Sequence, residues 1–378
     1  MKNFNLLYIL SLFSLSSLFS CSDAEELRKE ENIERSVGLF AATRAGEGDD
    51  DDFATSANGI TDFLEDDFIE DYSLIYISQR GPNNVEPIFD DPDSDNLYIY
   101  SYYENPAANW DNGYNFAPVG DRELDWDNIE KINMIGNSYI FFSMYFPQDN
   151  NVHFFVETDQ SELKNLKRSN ILGARHTTDK KDSRLRFKFY HLMAFLNITL
   201  YVPVFDESDN SGFLDNALEK GMVLNINPSF SVDYSADVGS DQSPAVSLTD
   251  DSLTDVMMYV HPGSELTDIK VSDFYPNSDI ETDIVRKYTL SVILPAGQNI
   301  QQGNFLRFQL HSPGGTIKKY VFSTSVQSIK LQIQKGAITQ LGLYLPRNEN
   351  NTILIDTEIL DWNRSSSEMN LVEETVNK

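Results

Sequence analysis

The chain reads as an all-β protein of the sandwich class. Three observations predict it. Short apolar runs recur through the body of the sequence, with Gly, Pro, Asn and Asp turn signals between them. Tyr and Phe number 18 and 24 of 378 residues, and both favour pleated surfaces. No convincing amphipathic helix longer than three turns stands in the body of the chain.

The first 45 residues are of a different kind. Lys2 gives a basic start, an apolar run follows from Phe4 to Phe19, and Leu18-Phe19-Ser20-Cys21 ends it. The run is short for a membrane span, which needs about 20 residues, and fits an export signal covering residues 1–20. Cys21 is the only cysteine. Its place at the end of the apolar run resembles a bacterial lipoprotein signal, with Cys21 as the lipidated residue. Several acyl chains, at about 0.8 kcal/mol per buried CH₂, make a lasting anchor. Residues 21–45 read as a polar tether followed by a short apolar strand, Val37–Thr43, with Arg44-Ala45 as a basic cleavage point directly behind it.

Candidate strands follow in order. Ser73–Ser78, Asn96–Tyr103 and Val152–Glu157 are short apolar runs, and Lys131–Phe146 is broken at Gly136-Asn137, a hairpin signal. Residues 159–183 read as a polar loop; its basic cluster of Lys164, Lys167, Arg168, Arg175, Lys180, Lys181 and Arg184 is taken as solvated in preference to a docking surface. Arg184–Phe205 is the clearest long strand. Its apolar positions are odd at Leu185, Phe187 and Phe189 and even from Leu192 to Val202. Strand period is two, so the change of phase requires an inserted residue, expected as a bulge near Tyr190-His191. Met222–Tyr234 is expected to pair back on that strand. Later candidates are Asp255–His261, Arg286–Leu294, Asn304–Leu310, Thr316–Ser323, Ser328–Gln334, Ala337–Leu345 and Thr352–Trp362, with a tight turn at Pro313-Gly314-Gly315. The Ser-, Gly- and Asp-rich segment 235–247 is the preferred domain boundary and the 159–183 loop the alternative. The expected division is a first domain over 46–236, a second over 237–363 and a tail over 364–378.

Charge and motifs narrow the function. With 29 basic and 59 acidic residues the net charge is −30, which disfavours nucleic acid and anionic lipid as partners. No G-x-S-x-G elbow, H-E-x-x-H helix, P-loop or dinucleotide fingerprint occurs. The histidines His153, His176, His191, His261 and His311 are scattered, so no metal site, cofactor or catalytic residue is expected. Asp90, Asp91, Asp93 and Asp95 resemble the start of a calcium loop, but Asn96 and Tyr102 stand where its glycine and glutamate belong. Tyr102, Tyr103, Trp110 and Tyr114 cluster among Asn and Asp and supply an alternative function, a surface glycan-binding lipoprotein, since sugar rings stack on aromatic faces. Packing at a sandwich edge is the reading favoured for them.

Four features together resemble the fimbrillin superfamily of Bacteroidetes, the subunits and relatives of the type V pilus. They are the lipoprotein signal ending at Cys21, the Ala42-Thr43-Arg44-Ala45 segment, the His191-containing strand Leu185–Leu200, and the closing Ile359-Leu360-Asp361-Trp362. The acidic Ser22-Asp23-Ala24-Glu25-Glu26 resembles the surface-export signal of lipoproteins in the same phylum. The resemblance implies two tandem transthyretin-like β-sandwich domains with Greek-key topology and lipid anchoring at the outer membrane surface. It implies fimbrial subunits as partners, with a host or bacterial surface ligand for adhesin members. It also implies strand exchange: cleavage after Arg44 frees the strand bearing Val37, Leu39 and Ala41. A donor strand such as Asn370–Val376, carrying Leu371, Val372 and Val376, then fills the groove of a neighbour.

Overall fold

In the computed structural model of the chain, the residues described are 38–43, 74–79, 89, 97–102, 114–119, 124, 139–146, 152–178, 184–208, 211–233, 244–249, 252–271, 282–298, 304–323, 333–347 and 353–361. They form strands with one short helix. The first lobe contains β1 (Gly38–Thr43), β2 (Leu74–Gln79), β3 (Leu97–Tyr102), β4 (Tyr114–Pro118), β5 (Tyr139–Tyr145), α1 (Leu163–Arg168), β6 (Leu172–Thr178) and β7 (Arg184–His191). Its strands close on themselves in the order β1-β4-β3-β2-β5-β6-β7. β1 pairs on both sides, so the sheet has no free edge and forms a barrel.

The second lobe contains β8 (Met193–Pro203), β9 (Leu218–Ile226), β10 (Phe230–Asp233), β11 (Ala245–Leu248), β12 (Thr254–Met257), β13 (Tyr259–Val260), β14 (Glu265–Ile269), β15 (Asp283–Pro295), β16 (Asn304–His311), β17 (Ile317–Ser323), β18 (Ala337–Tyr344) and β19 (Ile353–Asp361). A four-stranded sheet, β12-β9-β16-β17, faces a six-stranded sheet, β13-β15-β8-β18-β19, with β14 also on β15. The alternation read from the sequence builds the core between them. Leu196, Ile198 and Leu200 of β8 and Leu290, Val292 and Leu294 of β15 meet Val223, Phe308 and Phe322 of the facing sheet. The β16–β17 hairpin turns at the predicted place, where Gly315 has φ 78° and its N–H donates to Ser312 O at 2.8 Å.

Three expectations are corrected. The long strand is interrupted at Leu192, whose N–H donates to Ile171 O at 3.0 Å, and its two halves enter different sheets. The phase change near His191 therefore marks a change of sheet. β9 pairs with β12 and β16 and not with β8. The 159–183 segment holds α1 and β6. Its basic residues are dispersed: Arg168 pairs with Glu157 at 3.2 Å, and Arg175 is buried with its guanidinium 5.9 Å from the Phe142 ring. The expected boundary at 236/237 falls between β10 and β11, which pair with each other, while β8 and β9 ahead of it pair with strands behind it.

An apolar junction joins the lobes. Tyr76, Phe142 and Met144 of the barrel and Leu166 of α1 share a cluster with Phe195, Ile293 and Ile338 of the six-stranded sheet. Gln160 works there as a piece of strand. Its Nε2 donates to Ile293 O (2.8 Å) and its Oε1 accepts from Ile293 N (2.9 Å), satisfying the edge of β15 beyond the reach of β13. His191, at the end of β7, is buried and its Nδ1 donates to Asn170 Oδ1 at 2.8 Å.

Two consequences can be measured. A Cβ on Gly221 would stand 2.4 Å from Leu290 Cδ2 and 2.9 Å from Met258 Cε, inside the core. Gly221→Ala is expected to cost about 1–3 kcal/mol in denaturant unfolding. Gly314→Ala, where nothing lies within 4 Å, should leave the midpoint nearly unchanged. Desolvation by burial holds His191 at a pKa of about 3, below its ordinary 6.5. The unfolded chain therefore binds the extra proton between those values, and the folded state loses stability as pH falls through that window. At pH 5 this group alone accounts for about 2 kcal/mol. His191→Gln should flatten that part of the profile relative to the parent chain.

Candidate functional site

The site is the slot filled by β1. β1 follows no neighbour in sequence: it lies between β4 and β7, and the next strand among the described residues begins at Leu74. Along β7 the pairing is parallel and runs the full length of β1, from Gly38 opposite Arg184 to Thr43 opposite Phe189. Along β4 it is antiparallel, with Phe40 opposite Asn115 and Ala41 opposite Tyr114. A parallel pair needs a long crossover, so this contact is set by the whole lobe and not by a hairpin.

The β7 wall is firmly built. Phe187 and Phe189 are each 2% exposed and in ring contact with one another, and Phe187 also meets the His176 ring. In register, Leu39 stands opposite Leu185, Ala41 opposite Phe187 and Thr43 opposite Phe189. Ala41 and Thr43 thus stand in register with the two buried phenylalanines of the wall. β6 backs β7 from the other side, with Leu172 opposite His191 and Gly173 opposite Tyr190.

Of the residues singled out from the sequence, Leu39 and Ala41 lie in β1. Tyr102 ends β3 and Tyr114 begins β4, next to β1. Cys21, Val37, Arg44, Ala45, Tyr103, Trp110, Leu371, Val372 and Val376 lie outside the described residues, as do the aspartates at 90–95. Thr43, the last paired residue of β1, directly precedes Arg44. Sequence reading identified β7 as a strand but missed it as the wall of the slot. The unbroken Leu185, Phe187, Phe189 alternation was a signal for a strand, with nothing in it to name a partner.

One other polar grouping has structural geometry. Arg347 Nη2 donates to Asp283 Oδ1 at 2.7 Å and its Nη1 to Ser211 Oγ at 2.9 Å, while Tyr344 Oη donates to Asp283 Oδ2 at 2.9 Å. This closes one end of the second lobe. Desolvation by burial and the Asp283 carboxylate push the Tyr344 phenol upward, so it stays protonated and donating. Among the described residues no group of three or more His, Cys, Asp or Glu is placed to hold a metal ion, and no helix is long and apolar enough to cross a membrane.

No family model matches the chain, and no curated protein matches it in sequence. Solved structures do. One, provisionally described as a cell adhesion protein of Bacteroides uniformis, has 14% identity and TM-score 0.46, over 86% of this chain and 98% of that one. A fimbrial assembly protein of Parabacteroides distasonis has 9% identity and TM-score 0.37, over 89% and 98%. The tip fimbrial protein Mfa3 of Porphyromonas gingivalis has 9% identity and TM-score 0.34, over 86% and 100%. At such identities and superpositions, binding and assembly remain properties of those proteins.

Proposed function

We propose that the chain is a surface lipoprotein of fimbrillin type, made of two tandem transthyretin-like β-domains, that serves as a fimbrial subunit, anchor or adhesin. It is held at the outer membrane through lipid on Cys21 and has no catalytic role. The observation that carries this reading is β1. Two neighbouring strands hold it by main-chain pairing, and a cut behind Thr43 severs no other connection in the barrel.

The chemistry is β-augmentation. Removal of β1 exposes N–H and C=O groups along β4 and β7, and these edges accept any strand that restores the ladder. Each main-chain bond contributes about 0.5–1.5 kcal/mol net, so exchange for an equivalent strand is close to neutral, while an empty slot is costly. A donor must run parallel to β7 and antiparallel to β4, and must offer a small residue opposite Phe187. The segment with Leu371, Val372 and Val376 is the proposed donor from a neighbouring copy. Cys21 then fixes where the protein waits, and Arg44 decides between tethered monomer and fibre.

The exported protein should show one of two mature N-termini by mass spectrometry: lipidated Cys21 in an anchor, or free Ala45 in an assembling subunit. An arginine-specific protease is expected to cut after Arg44 and to yield multimers on native gels, while Arg44→Gln stays monomeric. Cleavage at Arg44 without multimers would remove the polymerising form of the proposal and leave the anchor form.

A further inference from the structure

The six-stranded sheet has a second face, opposite the sandwich core. One end of that face is covered by the apolar junction through Phe195, Ile293 and Ile338. The other end packs Val285 and Tyr344 against Ile269 and Val271. Between them run two polar rows. In the first, Tyr259, Ser291, Asn197 and Gln340 are successive register partners across β13, β15, β8 and β18. In the second, His261 N–H donates to Thr289 O at 2.9 Å, and Thr289 pairs with Thr199.

The floor is fixed and the rim is open. Ser291 and Asn197 are 0% and 2% exposed, whereas Tyr259, His261, Thr289, Thr199 and Gln340 are half-buried and reach solvent. His261 Nε2 donates to Ser291 Oγ at 2.7 Å, and Ser291 Oγ donates to Asn197 Oδ1 at 3.2 Å. The Tyr259 ring stands edge-on to His261, centroids 4.9 Å apart, so its orientation is held as well.

Between β13 and β18 these rows hold no carboxylate, lysine or arginine, and at the β19 edge they run on to Glu358, opposite Gln340, and to Asp356, opposite Gly342. Burial lowers the pKa of His261, which keeps the imidazole neutral at pH 7. Lys287, further along β15, lies 3.8 Å from Glu265. An anionic ligand finds no counter-charge in the rows and meets the acidic residues Glu358 and Asp356 at their β19 end, and an apolar one would leave amide and hydroxyl groups without partners. A neutral polyol fits: hydroxyls meet Gln and Thr side chains, and a sugar ring lies against an aromatic plate.

We propose that this face of the six-stranded sheet binds a neutral oligosaccharide, with the Tyr259 ring as its platform and Gln340, Thr199 and Thr289 taking its hydroxyls. The site is on the second lobe, away from β1, and does not depend on strand exchange. The full chain is tested against an array of neutral gluco-, manno-, galacto- and N-acetylhexosamine oligosaccharides beside sialylated and sulfated ones, and the strongest hit is titrated by calorimetry. A neutral glycan should bind, and Tyr259→Ala and Gln340→Ala should each raise Kd about tenfold; Gln340→Ala should leave Tm unchanged, while Tyr259→Ala, which also removes a ring packed against the junction, lowers it. Leu214→Ala, an exposed site 50% open to solvent, should leave Kd unchanged. Absence of any neutral hit, hits confined to charged glycans, or binding that survives both substitutions would overturn the proposal. Loss on Trp110→Ala with both variants still binding would do so too, by moving the contact elsewhere.

Discussion

Main-chain pairing along Gly38–Thr43 is the constraint on which the first lobe depends. Without β1 its sheet would present two open edges, β4 and β7, each a row of unsatisfied donors and acceptors. With β1 in place the sheet has none. The strand's own sequence, Gly-Leu-Phe-Ala-Ala-Thr, is short, and it is laddered to β4 on one side and β7 on the other. On the proposed function this is the strand exchanged, because what it supplies is a ladder that other strands can also supply.

The same lobe is tied to the rest of the molecule by the β7–β8 ribbon as well as by the apolar junction and Gln160. β7 forms the wall of the slot and, past Leu192, becomes β8, which pairs with both β15 and β18 at the centre of the six-stranded sheet. His191 sits at the change of sheet as a buried neutral ring, and Gln160 fastens the segment before α1 to β15. The slot therefore rests on a wall that is continuous with the second lobe's core strand.

Much of this fold was legible in the sequence where burial is one-sided. Period-two alternation marked β7, β8, β16 and β19, and Pro313-Gly314-Gly315 marked a hairpin. β6 was hidden because it carries Arg175 and His176 in a strand that is buried along most of its length, so its apolar pattern is broken by polar residues packed inside. Partners were harder than strands. The pairing of β9 with β16, the closure of the barrel, and the parallel contact of β1 with β7 all join segments far apart in sequence, and alternation carries no information about which strand lies alongside. Leu39 and Ala41 were singled out from the sequence, and the slot around them came only with the structure. The polar face at Ser291 was hidden for the same reason: His261, Asn197 and Gln340 come together only across four strands.

Hydrogen exchange tests the central claim most directly. In the intact chain, amides of 38–43, 114–118 and 184–191 should exchange slowly together, because β1 is laddered to both neighbours. After cleavage behind Arg44 and separation of the freed segment, protection of 114–118 and of the β1-facing amides in 184–191 should fall, while 193–203 and 283–295 stay unchanged. Restored protection on adding a donor copy would complete the account. Unchanged protection of β4 and β7 after β1 is removed would contradict it.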